Sequence, residues 1–171
     1  PFSFVNQDGK TVTNNDLAGK VYVASYFFTH CRGICPPMNN NMRLVYDEMK
    51  NEPDFIIVSH TSDPERDSVS QLKHYADTMK VDTKRWIFLT GDKRKLYEAA
   101  RLSYTIDDPA NNLKDIRDQF VHSQFWALVD RKGDVRKIYD GLKPSEVKKL
   151  VKDARRLLEE EWQLSDRRIV I

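Results

Sequence analysis

Cys31 and Cys35, the chain's only two cysteines, have three residues between them and lie where an apolar run meets a pair of prolines. That junction restricts the fold more than any other stretch. The run Val21-Tyr22-Val23-Ala24, followed by Tyr26-Phe27-Phe28, reads as a strand covered on both faces, as in the centre of an α/β sheet. Pro36-Pro37 suit the first turn of a helix, where a missing N–H costs nothing. The local order is strand, short loop, helix, with both thiols in the loop and first turn. A thiol there faces the positive end of the helix dipole, which favours the thiolate. Thiolate is the form that attacks disulfides and binds soft metals.

The rest of the chain builds around that unit. Phe2 to Thr13 reads as a hairpin turning at Gln7-Asp8-Gly9-Lys10, and Asn14 to Lys20 as a short helical piece ending at Gly19. After the first strand, Val21–Phe28, a helix is expected from Cys35 to Lys50, with Met38, Met42, Val45, Tyr46 and Met49 at helical spacing. Phe55–Val58 is a second buried strand, and the polar run Ser59 to Asp67 reads as a loop leaving it. A helix follows over Ser68–Met79. Trp86–Leu89 is a third strand, and Asp92 caps a helix reaching about Leu102. From Tyr104 to Gln119 the pattern lapses into Asp, Asn and Pro, an inserted excursion. Phe120–Val129 and Val135–Tyr139 form a late hairpin turning at Gly133. A last helix opens at Pro144 and buries Val147, Leu150, Val151, Ala154, Leu157 and Leu158. Trp162 to Ile171 carries no clear pattern.

This succession is a layered α/β order. Begun with strand, cysteine loop and helix, it gives a thioredoxin-like fold, with the opening hairpin and the excursion as decorations. A chain of 171 residues fits one domain, residues 1–171, with a core of ordinary size. The 28 Lys and Arg against 26 Asp and Glu give no basic surface for nucleic acid. Negative mean hydropathy and the lack of a long apolar run leave no transmembrane helix in this stretch. The chain begins at Pro1 without an initiator Met, so it is expected to be a soluble piece of a longer protein whose targeting segment lies upstream.

The cysteine pair supports three chemistries: a local structural disulfide, thiol–disulfide exchange, or metal binding. A ring this small constrains the unfolded chain weakly, which disfavours the first. Arg32 beside Cys31 adds positive charge that would stabilise a thiolate; a solvated loop residue is the equal alternative. Of the four histidines, His74 falls on the solvent side of its helix. His60, at a strand end, could approach the site but suits a cap or loop hydrogen bond better. His30 adjoins Cys31, but neighbours along a strand point to opposite faces. His122 differs, because it opens the Phe120–Val129 strand, whose start lies beside the cysteine loop in a thioredoxin-like fold; a buried structural histidine is the competing reading. Two thiolates and a neutral imidazole suit Cu(I), and the nitrogen makes Cu(II) tenable. Structural zinc wants a fourth protein donor, and Met38 and Met42 are spaced as core residues.

On these residues the chain resembles the Sco/SenC family over nearly its whole length. The resemblance is carried by Tyr26-Phe27-Phe28-Thr29-His30-Cys31 with Cys35-Pro36-Pro37-Met38, by Ser62-Asp63-Pro64-Glu65-Arg66-Asp67, by Trp86-Ile87-Phe88-Leu89-Thr90-Gly91-Asp92, and by His122-Ser123 with Tyr139. It implies a thioredoxin-like copper metallochaperone that helps assemble the binuclear copper centre of cytochrome c oxidase, with Cys31, Cys35 and His122 as copper ligands. It also implies an upstream membrane anchor and a location in the bacterial periplasm or mitochondrial intermembrane space. The implied partners are the copper-accepting oxidase subunit, other copper chaperones and thiol reductants.

The chain departs from the family where Arg32-Gly33 replaces the frequent Pro and acidic residue, and where Val121 precedes His122 in place of Asp. Both changes move charge near the metal toward positive. The main alternative is a thiol–disulfide reductase using Cys31 and Cys35 as its redox pair. Against it stand the CxxxC spacing and the absence of a Pro before the late strand. A redox or copper sensor, with the Asp63–Asp67 loop as partner contact, is the third reading. The plainer reading of that loop is a solvated turn with Asp63 or Asp67 capping the next helix.

Overall fold

The computed structural model describes residues 2–30, 35–106 and 124–160, with Cys35 described by its backbone alone. Among the described residues, seven strands form one sheet. The chain opens with β1 (Ser3–Asn6) and β2 (Thr11–Thr13), followed by helix α1 (Asn14–Leu17) and β3 (Val21–Phe27). Then come α2 (Cys35–Met49), β4 (Phe55–Thr61), α3 (Val69–Met79) and β5 (Trp86–Thr90). Helix α4 (Lys93–Glu98) continues as one wider π turn over Ala99–Ser103. The hairpin of β6 (Phe125–Val129) and β7 (Val135–Asp140) leads to α5 (Pro144–Glu159). Among these helices none is long and apolar enough to cross a membrane.

The strand order is β2-β1-β5-β4-β3-β6-β7. β3 lies parallel to β4 and antiparallel to β6, and β4 lies parallel to β5. Every residue of β3 and β4 is buried, so the continuous apolar run of β3 follows from having both faces covered. Odd-numbered side chains of β3 and β4 (Val21, Val23, Phe27, Phe55, Ile57) pack with Met38, Met42, Val45 and Met49 of α2, Leu72 of α3 and Leu150 of α5. Even-numbered ones (Tyr22, Ala24, Tyr26, Ile56, Val58) pack on the other face with Phe4, Leu96 and Tyr97. The alternation is the two-residue period of a strand. α5 carries Pro at its first turn and buries Val147, Leu150, Val151, Ala154 and Leu157, as its 3.6-residue stripe requires.

The layered α/β arrangement matches the sequence reading, and three details differ from it. First, the opening hairpin is part of the main sheet: Val5 pairs with Thr90 and Asn6 with Leu89, and Gln7 Oε1 accepts from the Phe88 N–H at 3.1 Å. Second, β4 runs on through Ser59, His60 and Thr61, where polarity alone suggested a loop. These side chains have buried partners: the Ser25 and Ser59 hydroxyls meet at 2.9 Å, and Trp86 Nε1 donates to Ser59 Oγ at 2.9 Å. Third, Tyr104 and Ile106 are core residues rather than the first part of an excursion. Residues 107–119 of that segment lie outside the described residues, as do 120–123 of the strand expected from Phe120 and the tail from 161; the described strand β6 begins at Phe125.

Candidate functional site

The parallel and antiparallel pairings decide what meets at the cysteine end. β3 runs toward the cysteine loop, which leaves it after Phe27 and rejoins regular structure at Cys35, the first residue of α2. β6 pairs antiparallel to β3, with Tyr22 opposite Val129 and Ala24 opposite Ala127. The N-terminal end of β6 therefore lies at the end of the sheet where β3 leaves. The chain that carries His122 joins the sheet at that same end. Cys31 and His122 themselves lie outside the described residues, and of Cys35 only the helical backbone is described.

Several hydrogen bonds fix this frame. The Gly141 N–H donates to Gln124 O at 2.7 Å, and Gln124 Nε2 donates to Asp140 Oδ2 at 3.0 Å, holding the start of β6 to the end of β7. Asn41 Nδ2 of α2 donates to Gly141 O at 2.7 Å. Less than two turns of α2 therefore separate the backbone of Cys35 from the corner where β6 begins. Beside the start of α2 a groove of about 510 Å³ is lined by Thr29, Pro36, Asn39, Arg43, Tyr75 and Met79.

The turn before α3 is solvated at Glu65 and Arg66, as expected, but Asp67 does not take the capping role read for it. Its side chain is fully buried. Oδ2 accepts from the Thr29 N–H at 3.1 Å and from Thr61 Oγ1 at 2.7 Å, and Oδ1 accepts from Thr29 Oγ1 at 2.5 Å. The cap of α3 is instead Ser68, whose Oγ accepts from the Gln71 N–H. Sequence reasoning had one signal for Asp67, its place in the Ser62–Asp67 motif, but nothing in a linear pattern separates a capping Asp from a buried one.

The remaining candidates separate cleanly. His30 is exposed, with Nδ1 3.2 Å from Thr29 Oγ1, and His74 is exposed on α3. Met38 and Met42 are buried in the core. His60 is fully buried within β4, on the sheet face opposite Thr61 and α2. It stacks on Tyr26 with ring centroids 4.8 Å apart and has Phe4 at its edge. Its Nδ1 lies 3.1 Å from Ser25 O, and its Nε2 lies 3.4 Å from the Tyr104 hydroxyl.

Burial pushes the His60 imidazole down to about 4, against hydrogen bonding that favours its charged form. The unfolded chain therefore binds a proton between pH 6.5 and about 4 that the folded chain does not. Stability from this group is complete above pH 6.5 and falls as pH drops through that window. The expected loss between pH 7 and pH 4.5 is about 2 kcal/mol. Urea unfolding of wild type and His60→Phe at both pH values checks it: the wild type should lose that much more than the variant, and equal losses would refute the assignment.

The SCO1/SenC family model matches residues 1–159 of this chain. Among solved structures, a SCO1/SenC family lipoprotein from Bacillus anthracis superposes with TM-score 0.78 at 33% identity, covering 92% of this chain and 93% of that one. BsSco, described as a member of the Sco family of cytochrome c oxidase assembly proteins with a disulfide switch, gives 0.77 at 34% identity, over 94% and 93%. The copper-bound ScoI of Arabidopsis thaliana gives 0.68 at 28% identity, over 91% and 97%.

Proposed function

Since the chain belongs to the SCO1/SenC family, we propose that it binds copper and hands it on during assembly of the binuclear copper centre of cytochrome c oxidase. Cys31, Cys35 and His122 hold the metal. The observation that carries this reading is the sheet register: it brings the end of β3, the start of α2 and the chain joining β6 to one end of the molecule. The copper-bound Arabidopsis relative supports the cargo, and BsSco supports the oxidase as destination.

The chemistry follows from the donors. Two cysteinates leave Cu(I) with net charge −1 and neutralise Cu(II), and the imidazole supplies the harder donor that Cu(II) prefers. The positive end of α2 favours the deprotonated form of Cys35 at its first position. Three protein donors leave the metal open to a recipient's ligands, which suits transfer rather than storage. The recipient is the copper-accepting oxidase subunit; other copper chaperones or thiol reductants load and reduce the site. An anchor upstream of Pro1 holds the domain outside the cytoplasm, a placement supported by the lipoprotein relative.

A second reading, thiol–disulfide exchange on oxidase cysteines, needs only Cys31 and Cys35 and is favoured by the disulfide switch of BsSco. Copper titration of the fully reduced protein separates the two. The expected result is one equivalent bound, with thiolate-to-copper charge-transfer absorption that is lost in Cys31→Ser and in Cys35→Ser. Absence of binding, together with turnover of a disulfide substrate, would replace the metallochaperone by a reductase.

A further inference from the structure

We propose that Asp67 is a positioning residue for the dithiol, clamping the stem of the loop that carries Cys31. The proposal rests on the reading of Cys31 and Cys35 as the working pair. A carboxylate taken wholly out of water is costly unless hydrogen bonds replace its hydration, and Asp67 obtains three of them from two threonines. Two come from Thr29, which gives up both its backbone N–H and its hydroxyl. Gln71 Nε2 of α3 donates to the same hydroxyl at 3.2 Å. The third bond comes from Thr61 at the end of β4.

The carboxylate is itself held in place. The Asp67 N–H donates to Asp63 O at 2.8 Å, and the Asp63 N–H donates to Thr61 Oγ1 at 2.9 Å. One side chain thus ties together the exits of β3 and β4 and the approach to α3. Thr29 stands two residues before Cys31, so a single residue, His30, separates the clamped stem from the first cysteine. A capping aspartate would serve α3 at its own N-terminus; Asp67 leaves that role to Ser68 and reaches across to the cysteine loop instead.

Preorganised thiols favour both the disulfide and the chelate, because the loop pays less ordering entropy to form either. The test compares Thr29→Val, Asp67→Asn and Thr29→Ser with wild type. Ser59→Ala is the control for lost stability, since it removes the buried partner of Ser25 and Trp86 without touching the loop stem. Each protein is equilibrated with glutathione buffers, in which oxidised glutathione accepts the two electrons and two protons released when Cys31 and Cys35 form a disulfide. Cu(II) affinity and the electron paramagnetic resonance spectrum are read on the reduced forms.

Thr29→Val and Asp67→Asn are expected to disfavour the disulfide about tenfold, a rise of about 30 mV for the two-electron couple. They should also weaken Cu(II) by about tenfold with altered spectral parameters. Thr29→Ser keeps the hydroxyl and restores wild-type behaviour, and Ser59→Ala lowers the unfolding midpoint without moving the potential. A wild-type potential in Thr29→Val, or an equal shift in Ser59→Ala, overturns the clamp. Thr29 is only half-buried, so its variants decide the matter should Asp67→Asn fail to fold. If wild type binds no copper, the copper reading falls, while the glutathione arm still decides the clamp.

Discussion

Replacing His122 by alanine is expected to weaken Cu(II) binding by more than about a hundredfold, beyond the cost of losing a residue that merely supports a ligand. The dithiol–disulfide equilibrium should change less than about twofold, well short of the 30 mV that a tenfold change represents. The asymmetry comes from ligand preference. Cu(I) is satisfied by two soft thiolates, whereas Cu(II) gains much of its binding from the nitrogen donor. A chelator competition with each oxidation state, alongside glutathione equilibration, reads all three quantities. Unchanged Cu(II) affinity in His122→Ala would remove His122 from the site. A Cu(II) loss matched by an equal shift in potential would make it a structural residue of the cysteine corner instead.

A second large effect is expected at Gly141, where the chain leaves β7. A Cβ built there would lie 2.6 Å from both Nε1 and Cζ2 of Trp126, far inside van der Waals contact. Trp126 is a fully buried ring of β6. The Gly141 backbone cannot yield easily, because its N–H is bonded to Gln124 O and its carbonyl to Asn41 Nδ2. Gly141→Ala should therefore cost about 3 kcal/mol, the upper end of overpacking, and lower the thermal midpoint by roughly 10 °C for a chain of this size. In a Trp126→Leu background, which lacks both Nε1 and Cζ2, the added cost of Gly141→Ala should shrink in the same melting experiment. An unchanged midpoint for Gly141→Ala would show that the corner adjusts without cost. Because Gln124 lies two residues after His122, the same variant should also disturb copper binding.

The cysteine end of the fold was legible because its signals are local. The apolar run of β3, the prolines after Cys35 and the methionine spacing of α2 each report on one element, and together they give strand, loop and helix with Cys35 at a helix start. β4 reads short in the sequence for the opposite reason. Ser59, His60 and Thr61 look like loop residues until Ser25, Tyr104 and Asp67 stand opposite them, and two of those partners, Ser25 and Tyr104, are distant in sequence. Tyr104 and Ile106 read as part of an excursion because the surrounding Asp, Asn and Pro dominate the composition there; their burial depends on the sheet face they land on.

From the chain alone come the candidates for the chemistry: two thiols at the junction of a buried strand with a helix, and one downstream histidine expected to open an apolar strand. Hydrophobic period and turn chemistry act over a few residues, so they are written in the order of the chain. Only the tertiary structure decided that β6 returns antiparallel to β3, so that the chain carrying His122 joins the sheet at the cysteine end. It alone turned His60 to the far face of the sheet and placed Asp67 beneath Thr29. Register and burial depend on contacts between segments far apart in the chain, and no local pattern encodes which face or which partner a polar side chain will meet.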